Sequence, residues 1–113
     1  MLGLFNTSSK EYKDINALEC AAMMENEQPV LLDIRSPQEK ADGDIEGSIL
    51  INLFDPNFAT EIDKLDRKKT YIVFCRSGNR SKTACSLMAQ KGFDNLYNLQ
   101  GGIFGWNRLQ TQQ

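Results

Sequence analysis

The chain predicts an α/β fold assembled from repeated strand–helix units. Three observations carry that prediction. Val30–Ile34 and Thr70–Phe74 are apolar runs of strand length, rich in aliphatic, β-branched or aromatic side chains, as fully buried strands are. Segments with apolar residues at helical spacing lie between such runs. Asn, Asp, Ser, Pro and Gly punctuate the boundaries. With 113 residues the chain is long enough to bury a core without disulfides or a metal, so a single domain over 1–113, with its core at about 12–107, is expected.

Taken in order, Tyr12–Asp14 reads as a short entry strand. Asn16 is an N-cap, and Glu19 three residues on completes a capping box. Ala17, Leu18, Ala21, Ala22 and Glu25 follow helical spacing, with Met23 and Met24 as core fillers. Pro29 stops this helix and Val30–Ile34 follows as a strand. Ser36 caps a short helix with Pro37 at its first position, ending near Asp42-Gly43. Ser48–Leu53 is the next strand, and Asp55-Pro56 opens a helix containing Phe58, Ile62 and Leu65. Asp66–Lys69 is a solvated turn. Thr70–Phe74 ends in Cys75, and Ser81 caps a helix running to Gly92. Ala84, Leu87, Met88 and Lys91 mark one face of that helix, and Cys85 beside them reads as core. Asn95–Leu99 is the last strand. Gly101-Gly102 then permits positive φ or close backbone approach. A terminal segment follows with Phe104 and with Trp106 as a core anchor, and Gln110–Gln113 is a frayed tail.

Composition excludes several classes. Apolar residues make up 41% and charged residues 25%, which disfavours disorder and fibrous structure. A formal charge of −2 gives no reason to expect nucleic acid or an anionic membrane as partner. Three cysteines without C-x-x-C spacing form neither a disulfide framework nor a metal knuckle. Histidine is absent, so a Cys–His dyad, a Ser–His–Asp triad and a histidine-bearing zinc site are excluded; no metal and no cofactor is expected. Met1–Asn6 lacks the cationic start and apolar length of an export signal, and no run is long enough to span a bilayer, so a reducing cytoplasm is the expected location.

The chemistry concentrates at Cys75-Arg76-Ser77-Gly78-Asn79-Arg80-Ser81. A thiol at the carboxyl end of a buried strand, facing the start of the next helix, lies at the sheet edge where α/β folds bind ligands. Turn amides, the helix amino terminus and two arginines all favour thiolate over thiol. Against a slightly acidic background, this cationic loop suits a small anionic substrate. Cys75 as a mere core residue is the bland alternative, but a core thiol has no need of a Gly-containing turn flanked by arginines. Arg80 is expected to point back over the loop and grip an anion bidentately. Arg76 either steers anions from solvent or is an ordinary surface charge. Gly78 keeps the curl of the loop open, and Asp33 with Arg35 forms a structural ion pair.

These residues, taken together, resemble the single-domain rhodanese-like sulfurtransferases from about Tyr12 to Trp106. Leu32-Asp33-Ile34-Arg35 with Pro37 and Glu39 resembles the family's D-x-R strand end. Gly43–Ser48 stands where G-H-I-P-G-A is usual, Cys75–Ser81 resembles the active-site loop, and Leu99-Gln100-Gly101-Gly102 with Trp106 resembles the L-x-G-G…W ending. Asp44 stands for the usual histidine, Glu46 for the proline, and Lys40 where an aromatic is common. The resemblance implies a five-stranded, mostly parallel sheet flanked by helices on both faces. It also implies that Cys75 takes sulfur from a donor such as thiosulfate, becomes a persulfide, and passes the sulfur to cyanide, a small thiol or a protein acceptor, with Arg76–Ser81 holding the substrate.

Two other functions stay open at this level. A thiol phosphatase or arsenate reductase uses C-x5-R, whereas Arg80 follows Cys75 after four residues, a tighter cradle better sized for one added sulfur. A non-catalytic rhodanese-like module would bind a protein partner, although such modules often lack the cysteine retained here.

Overall fold

Five strands, all parallel, form one sheet in the computed structural model, which describes residues 11–111. They are β1 (Lys13–Ile15), β2 (Val30–Asp33), β3 (Ile49–Leu50), β4 (Thr70–Phe74) and β5 (Asn95–Leu99), in the spatial order β1-β5-β4-β2-β3. The helices are α1 (Ala17–Asn26), α2 (Phe58–Asp63), α3 (Asn79–Gln90) and α4 (Gly102–Thr111), with a 3-10 helix over Pro37–Asp42. The segment read for export features and Gln112-Gln113 lie outside the described residues.

β4 is central, pairing with β2 on one side and β5 on the other. Because successive side chains leave opposite faces of a strand, Tyr71, Val73 and Cys75 enter one core layer while Ile72 and Phe74 enter the other. The first layer is closed by Phe58 and Ile62 of α2 and by Ala84, Cys85 and Met88 of α3. The second is closed by Cys20 of α1 and Ile103 of α4. Each fully buried side chain of the Ile or Phe class contributes roughly 1.5–3 kcal/mol of transfer free energy, which is why β4 needs no polar face.

Several boundaries differ from the sequence reading. β3 has two residues rather than six, although Ile51 N–H still donates to Asp33 O (2.8 Å) and Leu53 N–H to Ile34 O (3.0 Å), holding the chain beside β2. α2 starts at Phe58, because the Asp55 carboxylate accepts the Asn57 N–H (2.8 Å) and makes a turn where helix was expected. α3 starts at Asn79, so Ser81 lies inside its first turn and is not its cap. Its buried stripe is Ser81, Ala84, Cys85 and Met88, at i, i+3, i+4 and i+7; Leu87 falls off that stripe and is exposed. The tail assigned to fraying is helical as far as Thr111. Trp106, Met23 and Met24 are half-buried at the margin of the second layer, not anchors within it. Asn16 does cap α1: its Oδ1 accepts the Glu19 N–H and its N–H donates to Glu19 Oε1, both at 2.8 Å.

Candidate active site

Cys75 follows the last residue of β4, and the chain then turns through Arg76, Ser77 and Gly78 into α3. Gly78 has φ +106°, a conformation costly for any residue with a side chain. That turn aims the Gly78 N–H at Cys75 Sγ (3.1 Å) and lets the Ser81 N–H reach the same sulfur (3.4 Å). The Ser81 hydroxyl stands 3.4 Å from it. α4 fixes the outer side of the turn: Ile103 N–H donates to Cys75 O (2.9 Å) and Phe104 N–H to Arg76 O (3.2 Å). This approach is possible because Gly102 has no side chain; a Cβ there would lie 2.5 Å from both carbonyl oxygens.

Cys75 is almost wholly buried, yet its sulfur faces these amides and not hydrocarbon alone. Burial pushes the thiol up, but contacts with the Ser81 hydroxyl and the amides of Ser81, Gly78 and Ser77 prevail, holding it below the ordinary thiol value. The other two cysteines show what burial does without such amides: Cys20 is pushed up to about 11 and Cys85 to about 12. All three are free thiols, and only Cys75 has the surroundings of a nucleophile.

Arg76 faces solvent as expected, but Arg80 does not stand as expected. Arg80 is half-buried, and its guanidinium is filled by Glu39 of the 3-10 helix in a two-pronged ion pair (2.8 and 2.7 Å), so it does not lie open over the loop for a substrate anion. Glu39 is in turn held by the Ser36 N–H and Oγ–H (3.0 and 3.1 Å). Arg76 is exposed, 4.8 Å from the centre of the Phe104 ring and 3.7 Å from Asp42. Ser77 and Asn79 are exposed as well. The buried pair of Arg35 and Asp33 is structural: Arg35 Nε and Nη2 donate to the Asp33 carboxylate (both 2.9 Å), while its other contacts run to Glu39 O and Gly43 O. Lys40 and Asp44, both departures from the usual pattern, satisfy each other at 2.8 Å.

Sequence reading missed three residues that shape the site. Asn98 of β5 is buried; its Oδ1 accepts the Ser81 hydroxyl, and its Nδ2 donates to Asp14 Oδ1 (2.9 Å) and more weakly to Gly78 O (3.4 Å). The available signal was an asparagine inside the apolar run Leu96–Leu99, where side-chain amides are disfavoured. Asp14 carried no comparable signal, and Glu39 was legible only as part of the segment that resembles the D-x-R strand end. Among the described residues, no group of three or more His, Cys, Asp or Glu side chains is placed to hold a metal ion. Around Cys75, the arrangement can stabilise negative charge on one sulfur through backbone amides.

Comparison with known proteins bears on the family and the fold. The model of the rhodanese-like domain matches residues 16–109. A sulfurtransferase of Allochromatium vinosum is 31% identical over 86 residues, covering 76% of this chain and 78% of its own. The thiosulfate sulfurtransferase GlpE of Shewanella oneidensis is 29% identical, covering 85% and 93%. The crystal structure of a rhodanese-related protein from Thermoplasma volcanium superposes with a TM-score of 0.75 at 32% identity, over 87% of this chain and 93% of that one.

Proposed function

The chain belongs to the rhodanese-like domain family, and on that premise we propose that it is a thiosulfate-type sulfurtransferase working through a Cys75 persulfide. The observation that carries this reading is the amide cradle on Cys75 Sγ, with N–H groups of Gly78 and Ser81 at 3.1 and 3.4 Å. The Cys75 thiolate attacks the outer sulfur of thiosulfate; a new S–S bond forms, the donor's S–S bond breaks, and sulfite leaves with its electron pair. In the second half-reaction cyanide, a small thiol or a protein thiol attacks the outer persulfide sulfur. Thiocyanate or a new persulfide departs, and Cys75 is regenerated as thiolate. No net oxidant is required, and the scheme is a double displacement with ping-pong kinetics.

The loop supplies what each half-reaction needs. Amides of Ser77, Gly78 and Ser81 stabilise the anionic sulfur as an oxyanion hole stabilises oxygen. With Arg80 neutralised by Glu39, its role is long-range: it interacts electrostatically with Cys75 and balances Asp33 without gripping the sulfonate. Arg76 receives the anionic end of the donor together with Ser77 and Asn79, a reading supported by the exposure of all three and by the seat of Arg76 on the Phe104 ring. Three free thiols fit a reducing compartment such as the cytoplasm, and among the described residues no helix is long and apolar enough to cross a membrane.

The test is intact-mass measurement after incubation with thiosulfate. One added sulfur, about 32 Da, is expected on the native protein and none on Cys75→Ser. A native protein whose mass never changes with any sulfane donor would instead favour a protein-binding module. Sulfur loading of the Cys75→Ser variant would move the nucleophile elsewhere.

A further inference from the structure

The buried chain from Cys75 through Ser81 and Asn98 to Asp14 has a direction, and that direction bears on the nucleophile. Two groups that can only accept hydrogen bonds, the Asp14 carboxylate (2.9 Å) and the Gly78 carbonyl (3.4 Å), face one end of the Asn98 amide. The NH2 group must occupy that end, so the oxygen is turned to Ser81. Ser81 has one hydroxyl hydrogen, and it is directed at Asn98 Oδ1. The same oxygen stands 3.4 Å from Cys75 Sγ. The sulfur and the Asn98 carbonyl oxygen therefore compete for a single hydrogen.

We propose that Asn98, oriented by Asp14, is a positioning residue that withholds the Ser81 hydroxyl from the Cys75 sulfur and thereby restrains its ionisation. In the thiol state Ser81 accepts S–H from Cys75 while donating to Asn98, so every group in the chain is satisfied. Ionisation demands a choice. Either Ser81 turns its hydrogen to the thiolate and leaves a buried amide oxygen without a donor, or it stays with Asn98 and presents lone pairs to a negative sulfur. Both outcomes reduce what the Ser81 hydroxyl contributes to the anion, and burial of Ser81 and Asn98 keeps water from making up the difference. The amides of Gly78 and Ser81 favour the anion; the Asn98 chain sets the limit to that preference.

Other charges act on this pocket. Arg80 with its partner Glu39, Arg76 with Asp42, and the Asp33–Arg35 pair lie on the loop, the 3-10 helix and β2. Cys85 of α3 interacts with both Asp14 and Cys75, and Asp14 is itself a negative charge on β1. A substitution at Asp14 accordingly alters the field as well as the hydrogen-bond chain. The two effects separate in a Ser81→Ala background, because the field remains there and the hydroxyl does not.

The inference rests on Cys75 being the reactive thiol of the proposed function, but its test reads that thiol without any sulfur donor. The rate of iodoacetamide alkylation of Cys75 would be followed against pH, with the modified site located by peptide mass. Asn98→Ala and Asp14→Leu would each be made in the native protein and in Ser81→Ala. In the native background, both are expected to raise the alkylation rate at pH 6 about threefold and to move the profile to lower pH. In Ser81→Ala, Asn98→Ala should have no further effect, and Asp14→Leu should retain only the smaller change owed to its charge. A profile that moves to higher pH in Asn98→Ala, or that moves equally with and without the Ser81 hydroxyl, would overturn the proposal. Should Asn98→Ala fail to fold, the Asp14→Leu pair, close in shape and without an acceptor, decides by the same comparison. Sulfur loading that fails while this pattern holds would count against the transfer reaction and leave the positioning role standing.

Discussion

Glu39→Gln is the perturbation for which the structure supplies the most arithmetic. The Arg80 guanidinium is the main reason that the Glu39 carboxyl is held down from 4.5 to about 2; burial opposes this, and the Ser36 N–H and hydroxyl add to it. If the unfolded chain returns Glu39 to its ordinary value, linkage gives an upper bound of roughly 3 kcal/mol for the stability that this carboxylate contributes at neutral pH. Solvent reaches 27% of the Arg80 side chain and 21% of the Glu39 side chain. Screening therefore reduces the figure to about 1–2 kcal/mol. Glutamine keeps the shape and can still accept from Ser36, so the variant removes charge and little else. Thermal unfolding followed by circular dichroism should show a loss of about 5–10 °C at pH 7. Because the folded carboxyl is the stronger acid, this contribution is complete above 4.5 and disappears as pH falls through about 2. The gap between native protein and variant should thus narrow by about half at pH 3. Asp44 and Asp63 are also held low, but they titrate alike in both proteins and cancel in the difference. An undiminished gap at pH 3 would refute the ionic account, and no gap at pH 7 would mean that the pair is fully screened.

Three further outcomes follow from other parts of the site. Gly102→Ala should destabilise by more than about 2 kcal/mol in urea titration, since φ is +55° and the new Cβ would meet Cys75 O and Arg76 O at 2.5 Å; an unchanged midpoint would show that α4 can back away from the loop. Cys85→Ala should lose about 1–2 kcal/mol from a small cavity and yet load sulfur normally, because this buried thiol is pushed up to about 12. A two-thiol relay would be indicated if loading stopped. Arg76→Ala should raise the KM for thiosulfate about threefold at low ionic strength and much less at high salt; a salt-independent change would point to packing on Phe104 as the cause.

Legibility in the sequence followed the range of the interaction. The capping pair of Asn16 and Glu19, the strand Asn95–Leu99 and the cysteine loop were all read from neighbours a few positions apart. Where expectations about the site failed, a contact between distant segments had intervened. Ser81 looked like a helix cap because serine before a helical run usually is one. It instead lies within α3, where its hydroxyl meets Asn98 of β5. Arg80 looked available to a substrate because nothing nearby in the chain opposes it, but its partner Glu39 is 41 positions away.

Hydrophobic periodicity, turn chemistry and the Cys75–Ser81 loop are properties of short windows, and they were enough to determine an alternating α/β chain and to single out Cys75 as its candidate thiol. The identity of the groups around that thiol was decided only when parallel β1, β5 and β4 were brought side by side. That register places Asp14 opposite Asn98, 84 positions on, and Asn98 opposite Val73. Side-chain hydrogen bonds act over about 3 Å, so which donor a buried sulfur finds depends on strands that no local pattern relates.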